Sequence, residues 1–487
     1  MLHSQSSADA RVVITTATKA LQEQLCEEDL PFIRKALTEH GIDFSFALLK
    51  GRANYACAAK LDELGAPEGA DTMFETRTAT ELKRGDALTK LRTWAAGSNT
   101  GDRAELDEDV GDDLWGQVST RSIDCPGAVA CPAGDRCFTE MARARAQEAD
   151  IVVVNTALYG AHLAAFRTVL PEHDVVIVDE AHLSEDVFAD QFGFDISAGR
   201  LRNLVGLAAP FAKAEHVEKL RDLGSQLDVM WSKLSRGDDT RIVACTGEPG
   251  RLLEQVRVAV TALGKDIKDA TPEKGTPASS RRVRADKAAQ TLAHEVGMAL
   301  DPAVYETHVA WCEVFNGTGR LMVMPVDVGE LLAERLHPHA TVVATSATLT
   351  VGGEFDVTAH RLGFTGDWDG VRVASPFDFK EQGLLYVPKQ LPDPRDKTYP
   401  VAMATELHEL IVAAGGRTLA LFTSWNAMRL ASDWCAAHEE YKVLRQGEAP
   451  RRTLVDALRD NADTGGVAVF ATMGFWTGVD IPGVGLS

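Results

Sequence analysis

The chain has 487 residues, of which 45% are hydrophobic and 25% are charged, and this balance is typical of a globular protein with more than one domain. Its 50 basic and 71 acidic residues give a net charge of -21, which argues against a protein that coats nucleic acid through bulk positive charge. A local basic groove remains compatible with this charge, because affinity for nucleic acid depends on the phosphates that are contacted.

The sequence also bears on the location of the protein and on its cysteines. No run of about eighteen apolar residues occurs, so we predict no membrane span. The first residues lack a basic region followed by an apolar core, so we expect no secretory signal and a cytoplasmic location. A reducing compartment disfavours disulfides, and grouped cysteines are then better explained by a metal or a cluster.

The first half of the chain contains several strand signals. The β-branched run Val12–Thr16 predicts a buried strand, and Thr18 can begin the helix that follows it. Further apolar strands are predicted in "FALLKGRANYAC", "ADIVVVNTALYG" and "HDVVIVDEAH". Continuous apolar runs of this kind are typical of parallel sheets that are buried on both faces.

The second half changes character twice. From about Leu183 to Arg320 apolar residues recur at steps of three and four, which predicts helices, with "KDATPEKGTPASSRRVRADK" as a turn-rich basic break. Strands return in "GRLMVMPV" and "ATVVATSATL", and residues 371–487 alternate strands with helices. The pattern indicates an α/β protein of two parallel-sheet units, the first of which carries two insertions.

The stretch "VVIVDEAH" has the features of a Walker B strand, in which apolar residues precede adjacent carboxylates at the C-terminal edge of a sheet. Asp179 is predicted to hold Mg²⁺ through its water shell, and Glu180 to orient and polarise the attacking water. His182 is predicted to couple this site to its surroundings. The alternative is a strand followed by an acidic helix start, which the helix dipole alone would favour.

Two further strand ends carry small residues. In "VVATSATLT", Ser346 and Thr348 could bridge a nucleotide site to a neighbouring domain, although a Ser/Thr-rich strand end is also a common turn. In "FATMGFWTGVDIPG", Gly478 and Asp480 follow a strand at a point where backbone can approach phosphate or ribose. Each motif alone is compatible with an ordinary turn.

Together and in this order, these stretches resemble the motifs of superfamily 2 helicases, and the chain is similar to the DinG/XPD group of iron–sulphur DNA helicases, above all to its bacterial DinG-like members. The matches are "VVITTATKALQEQL" to motif Ia, "DEAH" to motif II, "SATLT" to motif III, "LFTSWNAM" to motif IV and "FATMGFWTGVDIPG" to motif V. The resemblance implies ATP and Mg²⁺ as cofactors and two RecA-like motor domains, with single-stranded DNA and forked or structured duplex DNA as partners.

The cysteines extend the resemblance. Cys57, Cys125, Cys131 and Cys137 match the four thiolate ligands of the group's [4Fe–4S] cluster. Zinc is the alternative metal for these cysteines. Structural zinc sites favour cysteine pairs separated by two to four residues, however, and none of these gaps has that spacing. The other four cysteines are scattered and are interpreted as buried small side chains.

The resemblance also implies domain limits and DNA contacts. Residues 1–56, 138–185 and 321–370 would form the first motor domain, 57–137 the cluster domain, 186–320 a helical Arch-like insertion, and 371–487 the second motor domain. Contacts to the DNA backbone give affinity without sequence preference. The residues predicted to make these contacts are Thr16, Lys19, Arg52, Thr423, Ser424 and Trp476.

The resemblance implies a 5′→3′ helicase of DNA repair or replication. The group's phosphate-binding loop, G-x-x-x-x-G-K-[ST], does not occur in the sequence, and "GVDIPGVGLS" lies before the position of motif VI. We therefore expect a segment of a longer helicase that hydrolyses no ATP by itself. The alternatives are a cluster-bearing redox sensor that binds single-stranded DNA without unwinding, and a DinG-like nuclease.

Overall fold

The structure is a computed structural model in which the chain divides into two compact units, Met1–Trp368 and Asp369–Ser487. The described residues are 10–65, 79–106, 110–122, 125–235, 241–242, 245–273, 276–315, 317–375, 377–438, 440–449, 451–476, 479, 481 and 483–486. No helix in this described part is long and apolar enough to cross a membrane.

The first unit is built from two sheets and the helices that cover them. Its strands are β1 (Val12–Thr16), β2 (Phe46–Leu48), β3 (Ile151–Asn155), β4 (Val175–Asp179), β5 (Phe194–Ser197), β6 (Arg241–Ile242), β7 (His308–Phe315), β8 (Thr318–Pro325) and β9 (Thr341–Thr345). Its helices are α1 (Lys19–Gln24), α2 (Leu30–Thr38), α3 (Ala58–Gly65), α4 (Ala79–Gly97), α5 (Asp112–Val118), α6 (Phe138–Glu148), α7 (Thr156–Ala164), α8 (Ser184–Phe192), α9 (Ala198–Ala208), α10 (Ala214–Leu234), α11 (Gly247–Asp269), α12 (Pro277–Leu300), α13 (Val304–Thr307), α14 (Val328–Arg335) and α15 (Asp356–Arg361).

A five-stranded parallel sheet in the order β2-β3-β1-β4-β9 forms the centre of the first unit. Val13 pairs with Val152 on one side and with Val176 on the other, and all three side chains are fully buried. Apolar β-branched residues suit such central strands because both faces are covered. The parallel directions bring the C-terminal ends of β1, β3, β4 and β9 to one edge of the sheet.

Residues 186–320, which were predicted to be helical, also contribute strands. β5, β6 and β7 lie in this segment and join β8 in an antiparallel sheet in the order β5-β8-β7-β6. In β7, Ala310 and Cys312 are buried while the strand's end exposes Val314 and Phe315, so this strand has one covered face and an open end. These strands were not predicted because most of the surrounding residues have a helical pattern. Their pairing in the sheet is shown by the structure and not by the sequence.

The predicted basic break within this segment is shorter than expected, because it lies between α11, which ends at Asp269, and α12. A helix, α12, begins at Pro277, and the Thr276 hydroxyl accepts a hydrogen bond from the backbone N–H of Ser279 at 3.3 Å. Proline is tolerated in the first turn of a helix because that N–H has no intrahelical partner. The basic residues that follow are therefore helical.

The second unit has a parallel sheet of its own. Its strands are β10 (Thr418–Leu421), β11 (Lys442–Arg445) and β12 (Val467–Ala471), and its helices are α16 (Phe379–Gln382), α17 (Tyr399–Ala413), α18 (Trp425–Cys435) and α19 (Arg451–Asp460). The order is β10-β12-β11, and every residue of the central strand β12 is buried. A parallel sheet in each unit confirms the prediction of an α/β fold.

Candidate active site and cysteine pocket

The acidic pair predicted from the sequence lies at the C-terminal edge of the parallel sheet. Asp179 ends β4, beside Thr345 at the end of β9. Glu180 follows with φ 51° and ψ 43°, which is the left-handed region of the backbone. A non-glycine residue there costs on the order of 1–2 kcal/mol, and such strain is concentrated at functional sites. The chain therefore turns sharply directly after β4.

A hydroxyl and an imidazole surround the second carboxylate. His182 Nδ1 lies 2.7 Å from Ser346 Oγ and 3.4 Å from Glu180 Oε2. The Ser346 hydroxyl is 3.5 Å from the same carboxylate oxygen and accepts a hydrogen bond from the backbone N–H of Thr348 at 3.3 Å. The structure thus brings together Glu180 and His182 of one motif with Ser346 and Thr348 of another. Thr348 contributes its backbone N–H and not its side chain.

The two carboxylates differ in their surroundings. Burial raises the pKa of Asp179 above its ordinary value, although the backbone N–H of Glu180 acts in the opposite direction. A carboxylate in this position is stabilised by a bound divalent cation, because the cation compensates for the lost hydration. The Glu180 side chain remains about a quarter exposed, which leaves it open to water.

The ends of β1 and β3 are held by short hydrogen bonds. Asn155 accepts from the backbone N–H of Leu158 at 2.9 Å and so begins α7. The Thr156 hydroxyl donates to the carbonyl of Thr16 at 3.1 Å. Thr16, which was predicted to contact DNA, is fully buried. A hydroxyl residue at a strand end resembles a site in sequence, but here it is part of the packing.

The four predicted cluster cysteines lie around one pocket. Cys57, Cys125, Cys131 and Cys137 all line it, although 67 residues separate the first from the second. All eight cysteines of the chain are free thiols, and all lie in the described part of the chain. Burial raises the pKa of the Cys57 thiol, while the nearby backbone N–H of Lys60 and the charge of Arg284 oppose this effect.

The thiols share a pocket but are not arranged as metal ligands. Among the described residues no group of three or more His, Cys, Asp or Glu side chains is placed to hold a metal ion. The pocket is nearly closed, with an internal space of about 20 Å³, which is about the room that one water needs. Room for a cluster would therefore require a shift of the thiols from these positions.

Arg52 belongs to this pocket and not to an exposed surface. Only 9% of its side chain is exposed, and its guanidinium pairs with Glu140 at 2.5 Å. Burial alone would lower the pKa of Arg52, but Cys125 and Glu140 more than offset that effect. Arg52, which was predicted to contact DNA, therefore lies enclosed beside the thiols.

The remaining predicted DNA contacts are in the second unit or lie outside what is described. Thr423 is exposed, and Ser424 accepts a hydrogen bond from the backbone N–H of Ala427 and begins α18. Trp476 is 50% exposed, so it does not pack in the core. Gly478 and Asp480 lie outside the described residues, and Lys19 begins α1 with a side chain that is not described.

Two features of these sites had not been predicted. Trp425, beside Ser424, is 44% exposed and has the Arg429 guanidinium 5.7 Å from its ring centre. An exposed tryptophan inside a motif is a signal that could have been used. Ser280 and Arg284 of α12 line the cysteine pocket, and nothing in the sequence links them to cysteines that lie far away along the chain.

The chain is similar to several named helicases. It is 36% identical over 499 aligned positions to the ATP-dependent helicase DinG of Mycobacterium tuberculosis, covering 98% of this chain and 73% of the relative. It is 30% identical over 511 positions to the ATP-dependent DNA helicase YoaA of Escherichia coli, covering 99% of this chain and 74% of the relative. A solved XPD helicase matches 95% of this chain and 72% of its own at 12% identity, with a TM-score of 0.45. No family model matches the chain.

Proposed function

The chain belongs to the DinG family of ATP-dependent helicases, and we propose that it carries the hydrolytic residues and the cluster of a motor that moves 5′→3′ along single-stranded DNA. The observation that carries the proposal is the grouping of Asp179, Glu180, His182 and Ser346 at the C-terminal edge of a parallel sheet. Ligands of open α/β sheets bind at this edge. The substrates are then single-stranded DNA and forked or structured duplex DNA in the cytoplasm.

The four residues have separate roles in this proposal. Asp179 holds the water shell of Mg²⁺, which neutralises the charge of the phosphates. Glu180 orients the attacking water and accepts its proton, for which its partly exposed carboxylate is suited. His182 and Ser346 hold that carboxylate in place. Because they lie on different strand ends, they also link the hydrolytic residue to the segment after β9.

We further propose that Cys57, Cys125, Cys131 and Cys137 hold a [4Fe–4S] cluster. Four free thiols around one pocket are the donor set that such a cluster takes. The positive charges of Arg52 and Arg284 suit a cluster with four thiolates, which is anionic. Cys125 and Cys131 are partly exposed, and Cys131 lies between two short 3-10 helices, Ala128–Ala130 and Gly134–Arg136.

The domain limits predicted from the sequence are part of the same proposal, with one addition. Residues 186–320 would act as the Arch-like insertion together with β8, since β8 pairs with β5 and β7. Exposed Thr423, Ser424 and Trp476 would contact DNA, and Trp425 joins them as a surface on which a base can stack.

The experiment that tests the proposed function uses a chimaera. Residues 1–487 replace the aligned part of the Mycobacterium tuberculosis relative, and unwinding is measured on duplexes with a 5′ or a 3′ single-stranded tail. We expect ATP-dependent unwinding only with the 5′ tail. Binding of single strands with no unwinding of either substrate would contradict the proposal and favour the redox-sensor alternative.

A further inference from the structure

The long helix α12 reaches from the insertion into the cysteine pocket. Ser280 and Arg284 are four residues apart, so they share one face of α12, and both line the pocket with the four thiols. Ser280 is 1% exposed, and its Oγ lies 3.9 Å from Cys131 Sγ. The pocket is therefore not closed by the cysteine segment alone.

Arg284 is buried with only part of its guanidinium satisfied. The side chain is 4% exposed, and one terminal nitrogen donates to both carboxylate oxygens of Glu63, at 2.8 and 3.0 Å. The buried Nε–H has no hydrogen-bond partner among the described residues. Leaving such a donor unmet costs about 1–3 kcal/mol, and more when the group is charged.

The neighbouring arginines of α12 are used differently. Arg281 donates to the carbonyl oxygens of Gly206 and Leu207, and Arg282 donates to that of Ile267 at 3.4 Å. These bonds hold the insertion to itself. Arg284 instead faces the thiols, and the charge of Arg284 acts on Cys57. Its unmet donor and its charge both suit an anionic group with sulphur acceptors.

We propose that Arg284 and Ser280 are positioning residues of the cluster, which tie the insertion to it and set its reduction potential. This inference rests on the cluster proposed above. When Cys131 is a cluster ligand its sulphur can only accept, so the Ser280 hydroxyl is the donor of that pair. Hydrogen bonds to sulphur and nearby positive charge both stabilise the more negative, reduced cluster, and therefore raise its potential.

Replacing either partner of the Arg284–Glu63 pair should shift the reduction potential of the cluster, and the two shifts should have opposite signs. Arg284→Gln leaves the Glu63 carboxylate unpaired near the cluster, so the potential shifts in the negative direction. Glu63→Gln leaves the Arg284 charge unopposed, so the potential shifts in the positive direction. Ser280→Ala removes one donor and shifts it slightly in the negative direction. A merely structural contact between α3 and α12 would not reverse the sign between its two partners.

The measurement is the reduction potential of the purified 487-residue chain and its variants, with iron content determined on each sample. Arg281→Gln on the same helix is the matched control, and we expect it to keep the wild-type potential. Glu63→Gln is nearly isosteric, so it decides the question even if Arg284→Gln does not fold. Iron-loaded Glu63→Gln with an unchanged or more negative potential would overturn the inference. A wild-type chain without iron would overturn the cluster proposal itself, and the two failures are distinguishable.

Discussion

The Ser346 hydroxyl lies 2.7 Å from His182 Nδ1 and 3.5 Å from Glu180 Oε2, so a side chain that follows β9 contacts two that follow β4. The two strands are neighbours, with Asp179 paired to Thr345. A displacement of either strand end would therefore move the Glu180 carboxylate. The hydroxyl of the second motif therefore contacts the residue of the first motif for which we propose the hydrolytic role.

Replacement of Ser346 by Ala should slow ATP hydrolysis without preventing nucleotide binding. The change removes a hydrogen bond worth about 0.5–1.5 kcal/mol, which corresponds to about a twofold to tenfold lower rate. The rate is measured on the chimaera with saturating single-stranded DNA. Thr341→Val, at the exposed start of the preceding strand β9, is the control and should keep the wild-type rate. Equal rates for both variants would show that the hydroxyl has no role.

Replacement of Glu180 by Gln should abolish hydrolysis in the chimaera while nucleotide remains bound, because an amide cannot accept the proton of the water. Asp179→Asn should instead weaken the Mg²⁺-dependent part of nucleotide binding.

In the 487-residue chain alone we expect no phosphate release, since its sequence contains no loop of the G-x-x-x-x-G-K-[ST] type. Release by that chain that is lost in Glu180→Gln would contradict this expectation.

Asp179 should destabilise the fold at neutral pH. Because its pKa is raised in the folded state, the unfolded chain ionises this carboxyl more readily, and the penalty applies at pH values above the folded pKa. The penalty disappears as the pH falls through the folded pKa, where the carboxyl becomes protonated. Asp179→Asn should therefore raise the melting temperature at pH 7 without Mg²⁺, and the gain should shrink in acid. A gain that grows as the pH falls would contradict the assignment.

Trp476 should contribute to the binding of single-stranded DNA by the second unit. Base stacking on an aromatic side chain is worth about 1–3 kcal/mol, so Trp476→Ala should weaken binding by about tenfold or more. The measurement is fluorescence anisotropy with an oligonucleotide of mixed sequence at fixed salt. Trp368→Ala is the control, since Trp368 is partly exposed but lies in the first unit, outside the predicted motifs. Equal affinities of both variants would remove Trp476 from the DNA surface.

The central strands and the acidic site could be predicted from the sequence because their signals are local. Residues 12–14 and 175–178 are continuous apolar runs, and the carboxylates Asp179 and Glu180 after the second run must lie at the sheet edge. Contacts between distant residues could not be predicted. Arg284 and Glu63 are 221 positions apart, and neither has a neighbour in sequence that indicates the other. The burial of a single side chain could not be predicted either. Thr16 is fully buried, although a hydroxyl residue at a strand end suggested a surface role.

The most direct test of the proposed cluster is the metal content of the 487-residue chain purified without oxygen. We expect a brown protein with about four iron atoms and matching acid-labile sulphide per chain, which is the content of one [4Fe–4S] cluster. Cys131→Ser should lose this iron, and Cys26→Ser, outside the pocket, should keep it. Stoichiometric zinc without iron in the wild-type chain, or equal iron in both variants, would contradict the proposed cluster.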